Sequence, residues 1–247
     1  MRNETVEMIQ SHRSIRRYTD QPISKEILQN ILTAAQWAPS SHNVQAYSII
    51  IVDDHKKKQR LSEIAGSQKY VAECPIFLVF CVDFFRLKQT TEMHGTDFAI
   101  DEVENVIVGA VDTALAAENA LLAARSFGLG GVMIGGIRND PYGVREILDM
   151  PPLTIPLMGM CLGYPDQNPW QKPRTPQEIV IHYNAYQAKE QIREGLATYE
   201  EISADYYNRR TSGKRTDGWT KQMARYLEKP RRPHLKEFIL NQGFNLE

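Results

Sequence analysis

The chain has 247 residues, long for an average domain yet within reach of one large mixed fold, and its 29 lysines and arginines balance 30 acidic residues. A formal net charge of −1 predicts no general attraction to nucleic acid or to an anionic membrane, so any anion site must be local. The N-terminus lacks the apolar stretch of a secretory signal, and no run approaches the ~20 apolar residues of a bilayer span, so a cytoplasmic protein without membrane partners is expected.

In chain order, a short apolar run (Val6, Met8, Ile9) ends in "SHRSIRRY" (11–18), which crowds three arginines, a histidine, two serines and a tyrosine into eight positions. Residues 22–38 predict a helix with Ser24 as N-cap, Glu26 in the first turn and Ile27, Leu28, Ile31, Leu32 and Ala35 on one face. The apolar runs 47–54 and 75–83 read as buried strands. Residues 103–128 are alanine-rich and apolar around most of the circumference, which predicts a central buried helix with Gly128 as C-cap. Strands are expected again at 130–136 and 155–163, separated by a helix opened by Pro141. From residue 164 prolines and charges take over, with short or amphipathic helical patterns; a tail too polar for its own core is expected to wrap around the rest of the fold or a second copy. No repeat or linker marks a boundary, so one domain is expected. Cys81 and Cys161 lie inside apolar runs, and with the distant Cys74 they suggest small buried hydrophobes, neither a disulfide framework nor a zinc site.

Standard nucleotide motifs fail. In "GLGGVMIGG" the third glycine of G-x-G-x-x-G would fall at Met133, and no P-loop occurs. The six histidines never pair at ligand spacing on one helix, so no metal is expected, and G-x-S-x-G is absent. What survives is a set of anion-binding elements. Arg13 and Ser14, followed by Arg16 and Arg17, suit a phosphate, because guanidinium offers a bidentate fork. "PSSHNVQ" (39–45) places hydroxyls and amides in a loop, and Lys172 and Arg174 add cations on a proline-stiffened segment. Singly, each also reads as a solvated face or an ordinary loop.

In this order the segments "HRSIRRYTDQPIS" (12–24), "APSSHNVQAYSII" (38–50), "GSQKYV" (66–71), "AVDTALAAENALLAARSFGLGGVMIGGIRND" (110–140), "PLMGMCLGYP" (156–165), "QKPR" (171–174) and "YYNRRTSGKRTDGW" (206–219) resemble the FMN-dependent nitroreductase and flavin reductase superfamily, in its NADPH-preferring subgroup. The resemblance implies an α+β fold with a central, mostly antiparallel sheet covered by helices. It also implies an interlocked homodimer, joined through the helix 103–128 and a C-terminal arm from about 186 to 247. It places His12, Arg13, Ser14 and Arg16 on FMN, with Arg16 at the pyrimidine edge, where a cation stabilises the charge that builds up on reduction. Ser40, Ser41 and Gln68 become further flavin contacts. Ile134, Gly135 and Gly136 become the strand against the ring, with a backbone amide facing N5, and Lys172 and Arg174 complete the phosphate site. His42 and Asn43 would border the substrate side, and Arg232 would orient nicotinamide or acceptor.

Between 209 and 232 nine basic residues face only two acidic ones, an excess that asks for an anionic partner or for pairing to the acidic stretch 97–104. The resemblance assigns Arg210 and Arg215 to the 2′-phosphate of NADPH. It implies a ping-pong oxidoreductase passing hydride from NADPH to flavin N5 and then two electrons to nitroaromatics, quinones or free flavin, with no side-chain nucleophile. Two alternatives stand beside this: a superfamily member that fragments flavin or dehalogenates reductively, and a non-enzymatic flavin carrier.

Overall fold

The computed structural model describes residues 2–100 and 103–246. In chain order it places α1 (Glu4–Gln10), α2 (Lys25–Gln36), β1 (Tyr47–Val52), α3 (His55–Ile64), α4 (Lys69–Glu73), β2 (Ile76–Asp83), α5 (Phe85–His94), α6 (Val103–Ser126), β3 (Gly130–Ile134), α7 (Pro141–Ile147), β4 (Thr154–Gly163), α8 (Lys189–Arg210), α9 (Trp219–Leu227) and α10 (Leu235–Asn241). The chain divides into two compact units: one runs to Pro169 and resumes at Arg232, the other spans Trp170–Arg231.

The first unit is built on a four-stranded sheet ordered β1-β2-β4-β3, antiparallel throughout. It is the α+β arrangement with an antiparallel sheet that the resemblance implied. Strand β2 sits inside the sheet, and its side chains alternate between two cores. Phe77, Val79 and Cys81 point to one side, with Leu61 and Val71 from α3 and α4 and Val144 and Ile147 from α7. Leu78 and Phe80 point to the other, with Ile31 and Ala35 of α2 and Ala117, Ala120, Leu121 and Ala124 of α6. Both faces of β2 are therefore covered, which is why its sequence is a continuous apolar run instead of an alternating one. All three cysteines are buried, and burial pushes the Cys81 thiol far up, so they serve as packing atoms.

Local signals set the helix ends. The Ser24 hydroxyl accepts from the Ile27 N–H at 3.2 Å, Asp54 caps α3 by accepting from Lys57 N–H at 2.8 Å, and Asp140 caps α7 through Gly143 N–H at 2.9 Å. Gly128, just past α6, takes the left-handed φ of 78° that a helix end favours. Helix α6 departs from one expectation: it is 24 residues long and contains an 18-residue stretch with a mean hydropathy of 1.5, long and apolar enough to cross a bilayer by length and composition. In this fold the helix lies against β2 and α2, its alanines letting both come close, and it carries Glu104, Asp112, Glu118 and Arg125 along its length. Val103, Ile107, Val111 and Leu115, four residues apart, form an exposed apolar stripe on it.

The second unit corrects the reading of the tail as too polar for a core. Its 22-residue α8 buries Tyr199, Ser203, Tyr206 and Tyr207. Tyr199 packs on Trp219 of α9 with ring centroids 5.7 Å apart, and Tyr206 meets Tyr207 edge-on at 5.2 Å. Aromatic rings supply the apolar area that aliphatic residues do not. Helix α9 is tied back to α8 at its start: the Glu200 carboxylate accepts from Thr220 N–H and Oγ1–H, both at 2.7 Å, and Ser203 Oγ accepts from Trp219 N–H.

Candidate active site

The arginine-rich segment follows α1 and is pinned from two directions. The Ile15 N–H donates to the Gly131 carbonyl of β3 at 2.9 Å, and the Arg125 guanidinium at the end of α6 donates to Met8 O and Ser11 Oγ. Tyr18 Oη–H bonds Ile15 O at 2.6 Å, and burial, before any other influence, drives this phenol far above its ordinary range. With Ile15 and Tyr18 turned inward, Arg13, Arg16 and Arg17 are left exposed. Arg17 is spent on Asp166, bonding its backbone carbonyl and pairing with its carboxylate at 3.0 Å. Arg13 Nη1 donates to Asn168 Oδ1 at 3.1 Å, a neutral partner that leaves its charge available.

Arg16 and Gln68, 52 positions apart in sequence, are brought to one place by Tyr70. The Arg16 guanidinium carbon lies 5.9 Å from the centre of the Tyr70 ring, and the Tyr70 hydroxyl donates to Gln68 Oε1 at 2.8 Å. The Gln68 amide N–H groups are thereby pointed by a fixed acceptor side. Tyr70 is a residue that reasoning from sequence alone missed; its only signal was its place two residues after a candidate contact.

The glycine pair is corrected. Strand β3 ends at Ile134, and Gly135 and Gly136 stand in the 3-10 turn Gly135–Asn139, beyond the strand expected to carry them. The turn forms because α3 lies close underneath: a Cβ on Gly136 would sit 2.6 Å from the Ala65 carbonyl oxygen, so Gly136 is required by packing. Gly135 is different, since a Cβ there meets only the end of the Arg138 side chain, at 3.1 Å. Arg138, also missed, donates to Leu157 O beside the turn. Arg232 arrives at the same turn from the far end of the unit, its Nε and Nη2 both on Asn139 Oδ1 at 3.0 and 2.9 Å.

Ser40, Ser41, His42 and Asn43 are held separately, on the loop into β1. The Ser40 hydroxyl is already engaged, donating to Asp112 Oδ2 at 2.7 Å and accepting from Gln45 N–H at 2.7 Å. It therefore has no hydrogen left to donate and keeps one lone pair. His42 and Asn43 are exposed on a short 3-10 turn.

In the second unit Lys172 and Arg174 follow Trp170 on an extended segment, and Arg174 donates to Lys172 O at 2.9 Å. Trp170, Lys172, Arg174, Tyr206 and Arg209 line a cavity of about 400 Å³. Arg210 and Arg215 each lie over one of two successive tyrosines: Arg210 is 5.8 Å from the Tyr206 ring centre and Arg215 4.2 Å from that of Tyr207, with Arg215 N–H on Thr211 Oγ1. Three of the tail's cations pair inside this unit, Arg209 with Asp205 and Lys221 and Arg225 with Asp217. Among the described residues no carboxylate lies within the 4.0 Å ion-pair distance of Arg210 or Arg215, so both charges remain available to an anion.

An antiparallel sheet covered by helices, with arginines and a glycine turn gathered at its β3 edge, defines an α+β protein with a cationic site. The chain belongs to the nitroreductase family: the family profile matches residues 9–164 and the profile of the family's C-terminal domain matches residues 172–247. It is 40% identical over 247 residues to an FMN reductase [NAD(P)H] of Bacillus subtilis, covering 99% of each chain. It is 42% identical over 240 residues to an oxygen-insensitive NADPH nitroreductase of Salmonella typhimurium, covering 97% of this chain and 98% of the relative. Its structure matches the NADPH:FMN oxidoreductase of Vibrio harveyi complexed with NAD+ with a TM-score of 0.89 at 39% identity, over 98% of this chain and 99% of the other.

Proposed function

We propose that the protein is an FMN-dependent NADPH oxidoreductase, a nitroreductase or flavin reductase acting on small-molecule electron acceptors such as nitroaromatics, quinones or free flavin. The observation that carries this reading is the joining of Arg16 and Gln68 through Tyr70. A permanent cation beside a directed amide donor fits the pyrimidine edge of a flavin, which presents carbonyl oxygens and gains negative charge on reduction. Bound FMN would supply the redox chemistry, taking hydride at N5 and passing on two electrons in a ping-pong cycle.

The chain's own residues bind, orient and tune. Arg13 and Ser14 are assigned to the FMN phosphate and His12 to a further flavin contact; Lys172 and Arg174 are proposed as cations for a phosphate. Arg16 and Gln68 take the pyrimidine edge. Ile134 and Gly135 lie along the ring, Gly135 offering a backbone amide, while Gly136 keeps the turn in place. Ser41 is a further contact, and Ser40 contributes as an acceptor. Arg210 and Arg215 hold the 2′-phosphate of NADPH, bidentate guanidinium groups being suited to it. His42, Asn43 and Arg232 border the acceptor.

A homodimer in the cytoplasm completes the proposal, with residues from about 186 to 247 as the arm that interlocks the two chains. The stripe Val103, Ile107, Val111 and Leu115, between 37 and 51% exposed, supports it, because an apolar helix face of this kind is buried in an obligate interface.

Freshly purified protein should be yellow and release one FMN per chain on denaturation. Anaerobic stopped-flow mixing with NADPH should bleach the flavin band rapidly. Bound flavin that NADPH leaves oxidised would end the reductase reading, and colourless protein that takes up no added FMN would end the flavin reading altogether.

A further inference from the structure

The loop joining α2 to β1 is held in a conformation that its sequence does not favour. His42, Asn43 and Gln45 have φ values of 45, 57 and 52°, so three of four successive residues are left-handed and none is glycine. A Cβ makes that conformation costly, and it persists only where surrounding structure imposes it. The imposing group is Asp112, fully buried in the middle of α6. Its Oδ2 accepts from Ser40 Oγ–H at 2.7 Å and from Ala46 N–H at 3.0 Å, and its Oδ1 accepts from Ser41 N–H at 3.2 Å. One carboxylate therefore clamps both ends of the loop. From the outer side the Arg86 guanidinium donates to the carbonyls of Gln45 and Tyr47, and Arg86 N–H is in turn held by Asp83.

We infer that Asp112 is a positioning residue for the acceptor side of the site, holding His42 and Asn43 in the left-handed backbone that presents them. This rests on the proposed oxidoreductase function, in which those two residues border the acceptor. The chemistry needs a carboxylate. Three donors converge on Asp112 from two directions, and two oxygens can receive them all. An asparagine would turn its NH2 against a backbone N–H, and Ser40 Oγ, already accepting from Gln45, cannot rotate to repair the mismatch without releasing the loop.

The test combines Asp112→Asn with Gln45→Gly. In D112N the Michaelis constant for a nitroaromatic acceptor should rise about tenfold, the worth of one hydrogen bond to a charged group. Because Ser40 and Ser41 are proposed flavin contacts, FMN content is measured on each sample, and the rate of flavin bleaching by NADPH should fall by less than the acceptor constant rises. Hydrogen–deuterium exchange on the protein as purified should speed up at Ser41 and Ala46 while β2 stays protected. Glycine at 45 accepts a positive φ freely, so the double variant D112N/Q45G should recover part of the lost acceptor affinity, which a mere core-filling role for Asp112 would not allow. Unchanged loop exchange, or a uniform fall of every kinetic constant with no recovery in the double variant, overturns the inference. If D112N does not fold, Ser40→Ala removes one of the three donors to Asp112 together with the acceptor of Gln45 N–H, without altering α6, and faster exchange at Gln45 is then required. Wild-type protein whose flavin NADPH leaves oxidised would overturn the functional reading and the acceptor role with it, while the exchange pattern reports the clamp separately.

Discussion

Adjacent glycines in the 3-10 turn after β3 should respond oppositely to the same substitution. At Gly136 an alanine Cβ would lie 2.6 Å from Ala65 O, 2.9 Å from Ala65 Cα and 3.1 Å from its carbonyl carbon, all backbone atoms at the end of α3. Ordinary van der Waals contact begins at 3.4 Å, so helix and turn must separate by roughly 0.8 Å across a seam that includes the buried Ala65 and Ile137. Overpacking against groups that cannot swing aside belongs at the upper end of the usual range, about 2–3 kcal/mol. For a chain of this size that lowers Tm by about 5–10 °C. At Gly135 the same Cβ meets only Arg138 Nη2 at 3.1 Å, the mobile end of a long side chain whose bond to Leu157 O is the main thing disturbed. Its loss should be about 1 kcal/mol. The functional order should invert: Gly135→Ala should lower FMN affinity or the rate of flavin reduction by about tenfold, since a methyl group now stands beside the amide assigned to N5. Circular dichroism melting, with flavin release measured on the same samples, decides it. If the two variants melt alike, or G136A melts within about 2 °C of wild type, the packing argument is refuted.

Arg210→Ala and Arg215→Ala should each raise the NADPH Michaelis constant about tenfold or more and leave that for NADH nearly unchanged, as steady-state kinetics with both donors would show. Tyr18 makes the first unit alkali-sensitive. Burial raises its pKa in the folded state, so its contribution is complete below the unfolded value of about 10 and is lost as pH rises beyond it. Denaturant melts between pH 8 and 11 should show this decline, and Tyr18→Phe should flatten it while costing about 1 kcal/mol at neutral pH for the lost bond to Ile15 O. Placing a charge in the exposed stripe of α6, as Ile107→Lys or Val111→Lys, should turn a dimer into monomers by light scattering; an unchanged mass would move the interface elsewhere.

What the amino-acid order determined unaided were the features whose causes lie within a few residues. Ser24 caps α2 three positions from its donor, Pro141 opens α7, Gly128 takes the left-handed turn after α6, and β1, β2 and β4 follow from uninterrupted apolar runs. The arginines of 13–17 and the cations of the tail could be seen as anion-binding material because charge needs no partner to be recognised. Which of them stay available was decided only by tertiary structure: Arg17 is consumed by Asp166, whereas Arg16 is set over Tyr70 beside Gln68. Tertiary structure alone also made Asp112 an anchor for a loop some 70 residues earlier in the chain, ended β3 before the glycine pair, and gave the polar tail an aromatic core of its own. In each case the cause is a contact between residues far apart in sequence. Nothing in the neighbourhood of either partner encodes such a contact, and it exists only once the sheet and α6 have brought the two together.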